Sequence, residues 1–124
     1  MQDGKHVILC IDDDEDILFC LKKVLQANDY VFVGASSAEQ GLSTYKSTEV
    51  DLVIVDLMME EVDAGTSFVK ELKVLGNTVP VYMLSSVGDN LAITIDYNEL
   101  GLSGVMQKPI NNDSLLAILT AKLK

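Results

Sequence analysis

Positive charge is what this chain has least of. Nine basic residues stand against nineteen acidic ones, for a net charge of −10. That balance disfavours a nucleic-acid backbone or an anionic membrane as the main partner, and suits metal cations or a basic protein surface. Histidine is nearly absent. His6, the single one, begins an apolar run and is expected to be structural, which takes histidine-based catalysis out of consideration. Cysteine is scarce too. Cys10 lies in an apolar run and Cys20 on a helical stripe, so both are expected to be buried free thiols of a reduced, cytoplasmic setting. No apolar run approaches the roughly 18 residues of a membrane span, and the N-terminus shows no signal-peptide pattern. Repeats, linkers and low-complexity stretches are also missing. What remains is 124 residues, 48% hydrophobic and 23% charged, an ordinary composition for one globular domain over residues 1–124.

The apolar residues alternate between two periods along the chain. Short, nearly continuous runs at Val7–Ile11, Tyr30–Ala35, Leu52–Val55, Val81–Leu84 and Gly104–Gln107 suit strands covered on both faces. Helical patterns lie between them. Ile17, Cys20, Leu21, Val24 and Leu25 form one stripe; Phe68, Val69, Leu72 and Leu75 form another, ending at a C-cap glycine, Gly76. Ser36 with Glu39, or Ser37 with Gln40, resembles a capping box. Asn111 or Asn112 can cap a last helix carrying Leu115, Leu116, Leu119 and Leu123. The stretch Asp89–Leu100 completes the count as a weak helix, since adjacent Ile93, Thr94 and Ile95 lose rotamer freedom there. Alternation of five strands with five helices predicts an α/β fold: one five-stranded parallel sheet, doubly wound, with helices on both faces.

In such a sheet, ligands bind beyond the carboxyl ends of the strands, where strand order reverses. The first strand ends at Asp12 and Asp13, the third at Asp56, the fourth at Ser85 and Ser86, and the fifth at Lys108-Pro109. Carboxylates a few ångströms apart repel by about 4 kcal/mol per pair at an effective dielectric near 20, so they take up protons or recruit a cation. An all-oxygen donor set without His or Cys points to a hard ion, Mg²⁺ or Mn²⁺. Lys108 adds a fixed positive charge and Ser85 a hydroxyl. Together they can hold a tetrahedral phosphoryl group against a nucleophilic carboxylate. The acidic run after Ile11 has two readings, metal binding and helix capping. Asp12 and Asp13 face the cation, whereas Asp14, Glu15 and Asp16 suit a helix start.

At this point the sequence resembles the receiver domains of two-component response regulators, of the flavodoxin-like type that includes single-domain chemotaxis regulators. The residues that carry the resemblance are Ile11-Asp12-Asp13, Asp56-Leu57-Met58-Met59, Ser85 and Lys108-Pro109. It implies that Asp56 accepts a phosphoryl group from a phosphohistidine on a histidine kinase or histidine phosphotransfer protein. Asp13, Asp56 and the Met58 backbone carbonyl would ligate Mg²⁺, with Asp12 acting through a metal-bound water. Ser85 would bond a phosphoryl oxygen, Lys108 would pair with the phosphate, and the bond before Pro109 would be cis. Two departures matter. Glu60 stands where the family commonly has proline, and Val105 where many members carry an aromatic residue that couples to the hydroxyl at position 85.

Leu18 and Phe19 lie off the first helical stripe, beside Lys22 and Lys23. Partial burial against neighbouring loops is one reading; a surface that docks the phosphodonor is the other. Two alternatives to a phosphorylated receiver stay open. One is a small phosphatase resembling the haloacid dehalogenases, with Asp12 as nucleophile and Asp14 as acid. The other is a degenerate receiver that binds partners without phosphate. Downstream partner and output are not legible in the sequence.

Overall fold

The expected alternation is realised in a parallel sheet. The computed structural model of the chain describes residues 4–56, 64–86, 102–108 and 110–123. Five strands, β1 (Val7–Ile11), β2 (Val31–Ala35), β3 (Leu52–Asp56), β4 (Val81–Ser86) and β5 (Gly104–Lys108), pair in parallel in the order β2-β1-β3-β4-β5. The chain leaves β1 for β2 on one side and then crosses back to β3 on the other. The order therefore reverses between β1 and β3, and their carboxyl ends frame the crevice.

Helices α1 (Glu15–Ala27), α2 (Ala38–Ser47), α3 (Ala64–Val74) and α4 (Asn112–Lys122) cover the two faces. Alternate strand residues feed two cores. Leu9, Ile11, Val53, Val55 and Met83 pack with Phe68, Val69 and Leu72 of α3. On the other face, Ile8, Cys10, Ile54 and Leu84 pack with Leu21 and Leu25 of α1 and with Leu115 and Leu119 of α4. Burial on both faces is why β1 and β3 read as unbroken apolar runs. The outer strand β2 is less covered than expected: Val31, Phe32 and Val33 are half-buried and Gly34 is exposed. It has a strand on one side only, a position that composition does not reveal.

Capping chemistry sets the helix starts. Asp14 accepts the Asp16 N–H at 2.9 Å, Ser37 accepts the Gln40 N–H at 3.1 Å, and Asn111, not Asn112, accepts the Ser114 N–H at 3.0 Å. The Gln40 carboxamide oxygen reaches back to the Ser36 N–H at 2.8 Å, one residue before the N-cap, so Ser37 with Gln40 makes a variant of the expected box. At the end of α3, Gly76 has φ +77°, its N–H bonds Lys73 O, and the Asn77 N–H bonds Leu72 O. This is a Schellman ending.

Two side-chain expectations, for Cys20 and Leu75, are corrected, and Leu18 takes the partial burial that was one of its two readings. Cys20 is exposed, because the buried face of α1 centres on Leu21 and Leu25, and Cys20 lies about 100° around the helix from Leu21. Leu18, three residues before Leu21, belongs to that face instead and packs against the second core. Leu75 is 46% exposed, since it lies beyond the last helical residue, in the turn that Gly76 closes. The weak helix Asp89–Leu100, Met58, Glu60 and the Lys108–Pro109 bond fall outside the described residues. Among the described residues, no helix is long and apolar enough to cross a membrane.

Candidate functional site

Each strand that reaches the crevice delivers a polar residue at its end. Asp12 directly follows β1 and continues its ladder, donating its N–H to Ala35 O at 3.1 Å. Asp56 is the last residue of β3, Ser85 the penultimate residue of β4, and Lys108 the last of β5. Asp12, Asp56 and Ser85 are the buried polar or charged residues among those described. They sit at the end of otherwise apolar strands, where the strands themselves carry them into the crevice.

Lys108 organises the charges. Its Nζ stands 3.0 Å from Asp12 Oδ2 and 3.1 Å from Asp56 Oδ1, with only 17% of its side chain exposed. Burial alone would lower the pKa of this ammonium. Asp12 first and Asp56 second outweigh that penalty and hold it above the ordinary lysine value. The Lys108 ammonium is the partner of Asp12 Oδ2. The other oxygen, Oδ1, accepts the Asp14 N–H at 2.9 Å.

That last contact shows what the acidic run does. Asp12 bonds the N–H two residues on, and Asp14 does the same to Asp16. Two consecutive Asx turns thus carry the chain from strand to helix. Asp12 turns inward while Asp13 is exposed. The capping role expected of Asp14 holds, but its backbone N–H has a second task in orienting Asp12. The Asp-x-Asp-x-Asp spacing was the available signal for this.

Asp12, Asp13 and Asp56 each offer an oxygen within 4.8 Å of the others. Three carboxylates and one ammonium sum to a local charge of −2, which a divalent cation balances. The oxygen-only donors, with Asp13 exposed beside two buried carboxylates, fit a hard ion that keeps part of its water shell. Cys10 stands two residues before Asp12 and takes no part. Burial, and then the charge of Asp12, push its thiol well above the ordinary cysteine range, so it stays neutral.

The remaining expectations divide. Ser85 is buried at the same edge. His6 precedes β1 and so lies at the opposite edge, where its carbonyl accepts the Val31 N–H at 2.9 Å. Leu18 and Phe19 line a groove of about 360 Å³ with Lys22, Phe32 and Gln40. Phe19 is 58% exposed, and Lys23 Nζ stands 4.8 Å from its ring centroid.

An open parallel sheet that gathers three carboxylates and a lysine at its carboxyl edge defines a small α/β module with a charged crevice. Comparison with known proteins makes this specific. The family model "response regulator receiver domain" matches residues 8–120, and the chain belongs to that family. It is 33% identical over 117 residues to the transcriptional regulatory protein CpxR of Klebsiella pneumoniae, covering 94% of this chain and 49% of that one. It is 32% identical over 118 residues to protein RcaC of Microchaete diplosiphon, covering 94% of this chain and 18% of that one. The chain thus spans half or less of these curated relatives. Among solved structures, the signal receiver domain of an HD domain-containing protein from Pseudomonas fluorescens Pf-5 superposes with a TM-score of 0.86 at 28% identity. That match covers 96% of this chain and 94% of the other.

Proposed function

We propose that the whole chain is one receiver domain, working in a cytoplasmic two-component or phosphorelay pathway with Asp56 as its phosphoacceptor. The donor would be a phosphohistidine on a histidine kinase or histidine phosphotransfer protein. The observation that supports this most is the Lys108 ammonium, held 3.1 Å from Asp56 and 3.0 Å from Asp12 beside a third carboxylate. A fixed cation at that place suits the negative charge that a phosphoryl group would bring to Asp56.

In the transfer, an Asp56 oxygen attacks phosphorus and the phosphorus–nitrogen bond to histidine breaks. Its electron pair returns to the imidazole nitrogen. Lys108 would then pair with the new phosphoryl oxygens, and Ser85 would donate its O–H to one of them. Asp13 and Asp56, with Asp12 behind them, would hold Mg²⁺ or Mn²⁺; the Met58 carbonyl belongs to the same expectation. A bound divalent ion neutralises charge on the transferring oxygens. The activity is self-modification and slow hydrolysis of the acyl phosphate, not turnover of a separate substrate, and the phosphorylated state alters partner binding.

The phosphatase alternative is not favoured. It needs Asp14 as an acid over the site, whereas Asp14 Oδ1 accepts the Asp16 N–H at the start of α1. A degenerate receiver is not favoured either, because Asp12, Asp13, Asp56, Ser85 and Lys108 are all present at the crevice. Incubation with acetyl phosphate and Mg²⁺, followed by intact-mass spectrometry, tests the proposal. One base-labile phosphoryl group is expected on the wild type and none on Asp56→Asn; full labelling of that variant overturns the assignment.

Docking of the phosphodonor on α1 is part of the same proposal, but its weight shifts. Leu18 is half-buried against the second core while lining the same groove, so Phe19 offers a partner the larger exposed surface. Phe19→Ser is expected to slow transfer from a phosphohistidine protein and leave the acetyl phosphate reaction unchanged. Equal slowing of both reactions would count against docking there.

A further inference from the structure

Ser85 has a polar neighbour on the next strand. Ser85 of β4 and Gln107 of β5 are register partners, as are Met83 and Val105 two residues earlier. Side chains alternate across a sheet, so all four lie on one side of it. Met83 and Val105 identify that side: they pack in the core with α3. Ser85 is buried, Val105 half-buried and Gln107 exposed. Paired strands run about 4.8 Å apart, a span that a glutamine side chain bridges.

The chemistry of a hydroxyl gives this pairing a use. A serine has one O–H to donate and two lone pairs with which to accept. Once its proton is committed to a phosphoryl oxygen, a second polar partner can only be a donor. Val105 has no donor. The Gln107 carboxamide has two N–H groups. A donor feeding the serine oxygen also polarises its O–H and strengthens the outgoing bond.

We propose that Gln107 is a positioning residue of the phosphoryl site. Its carboxamide N–H donates to Ser85 Oγ while Ser85 donates to the group on Asp56. The inference rests on the phosphoacceptor reading above, and extends the site to the exposed end of β5. Occupancy at Asp56 is then felt on β5 through a polar side chain, at a strand whose neighbouring Val105 carries no hydrogen-bonding group.

Beryllofluoride with Mg²⁺ serves as the phosphoryl mimic, and ¹⁵N spectra of the full chain report the result. In the wild type, saturation should shift the Gln107 side-chain amide signals and slow their exchange with water. Gln107→Leu keeps volume and removes the amide, and should weaken beryllofluoride binding roughly fivefold, the worth of one neutral hydrogen bond. Gln107→Glu, which has no N–H when ionised, should not restore it. In a Ser85→Ala background, Gln107→Leu should change nothing further. Equal weakening in both backgrounds overturns the proposal. So does an unmoved Gln107 amide while signals near Asp56 shift in the wild type and not in Asp56→Asn. If beryllofluoride produces no Asp56-dependent shifts at all, the phosphoacceptor reading itself fails and this inference falls with it.

Discussion

The two edges of the sheet use polar residues in opposite ways. At the amino edge, polar groups satisfy one another. Asp51 Oδ2 accepts the Val7 N–H at 2.7 Å, Tyr45 Oη donates to Asn77 Oδ1 at 2.7 Å, and Asn77 Nδ2 donates to Val79 O at 2.9 Å. At the carboxyl edge, one lysine serves two buried carboxylates, with a third acid beside them. The first edge is finished by folding. The second carries an excess of like charge that a cation, a proton or a phosphoryl group can change. Stability and responsiveness are thus separated by the length of a strand.

Lys108→Met gives the sharpest break in that contrast. It strips the ammonium from between Asp12 and Asp56 and should cost about 3 kcal/mol, the lower end for a broken buried pair because this lysine keeps some contact with water. Urea denaturation of both proteins measures the difference. The Lys108 pKa is raised on folding, so its contribution is complete below the unfolded value of about 10.5. It is lost as pH climbs through the higher folded value. The gap between wild type and variant should therefore stay constant through neutral pH and narrow only at strongly alkaline pH.

Asn77→Ala probes the finished edge. It removes the partner of the Tyr45 hydroxyl and should cost about 2 kcal/mol by denaturant melting, with acetyl phosphate labelling unchanged. Lost labelling in a folded Asn77→Ala protein would show that the edges are not independent. A smaller effect belongs to the cation. At tenfold excess over its Kd, Mg²⁺ should add about 1.4 kcal/mol to the wild type and much less to Asp13→Asn. An equal rise in melting temperature for both would place the metal elsewhere. The smallest effect is chemical. In the native protein a thiol reagent should label Cys20 and leave Cys10 untouched until the chain unfolds, because Cys10 is buried with a raised pKa.

Much of this contrast was legible in the residues. The sheet followed from runs such as VILCI and LVIV, whose burial on both faces leaves no polar positions to confuse the period. The crevice followed from asking which side chain each strand presents at its end. What stayed hidden was angular or topological. Leu18 and Cys20 differ by two positions on α1, and only the centre of the buried face, at Leu21 and Leu25, decides which points inward. Leu75 continues the apolar spacing of α3, but the Schellman turn at Gly76 takes it off the helix. The exposure of β2 depends on its outer place in the strand order, which no local pattern encodes.

Gly41 of α2 is seated against Ile11, the residue before Asp12. A Cβ built there would lie 2.5 Å from Ile11 Cδ1 and 2.8 Å from its Cγ1. Helix α2 therefore packs against the Ile11 side chain with no room to spare at position 41. For protein engineering this is a handle on the site that spares every charged residue. Side chains of increasing size at position 41 would press on Ile11 and reposition Asp12 behind it. Cation affinity could then be tuned by packing alone, with all three carboxylates and the lysine left in place.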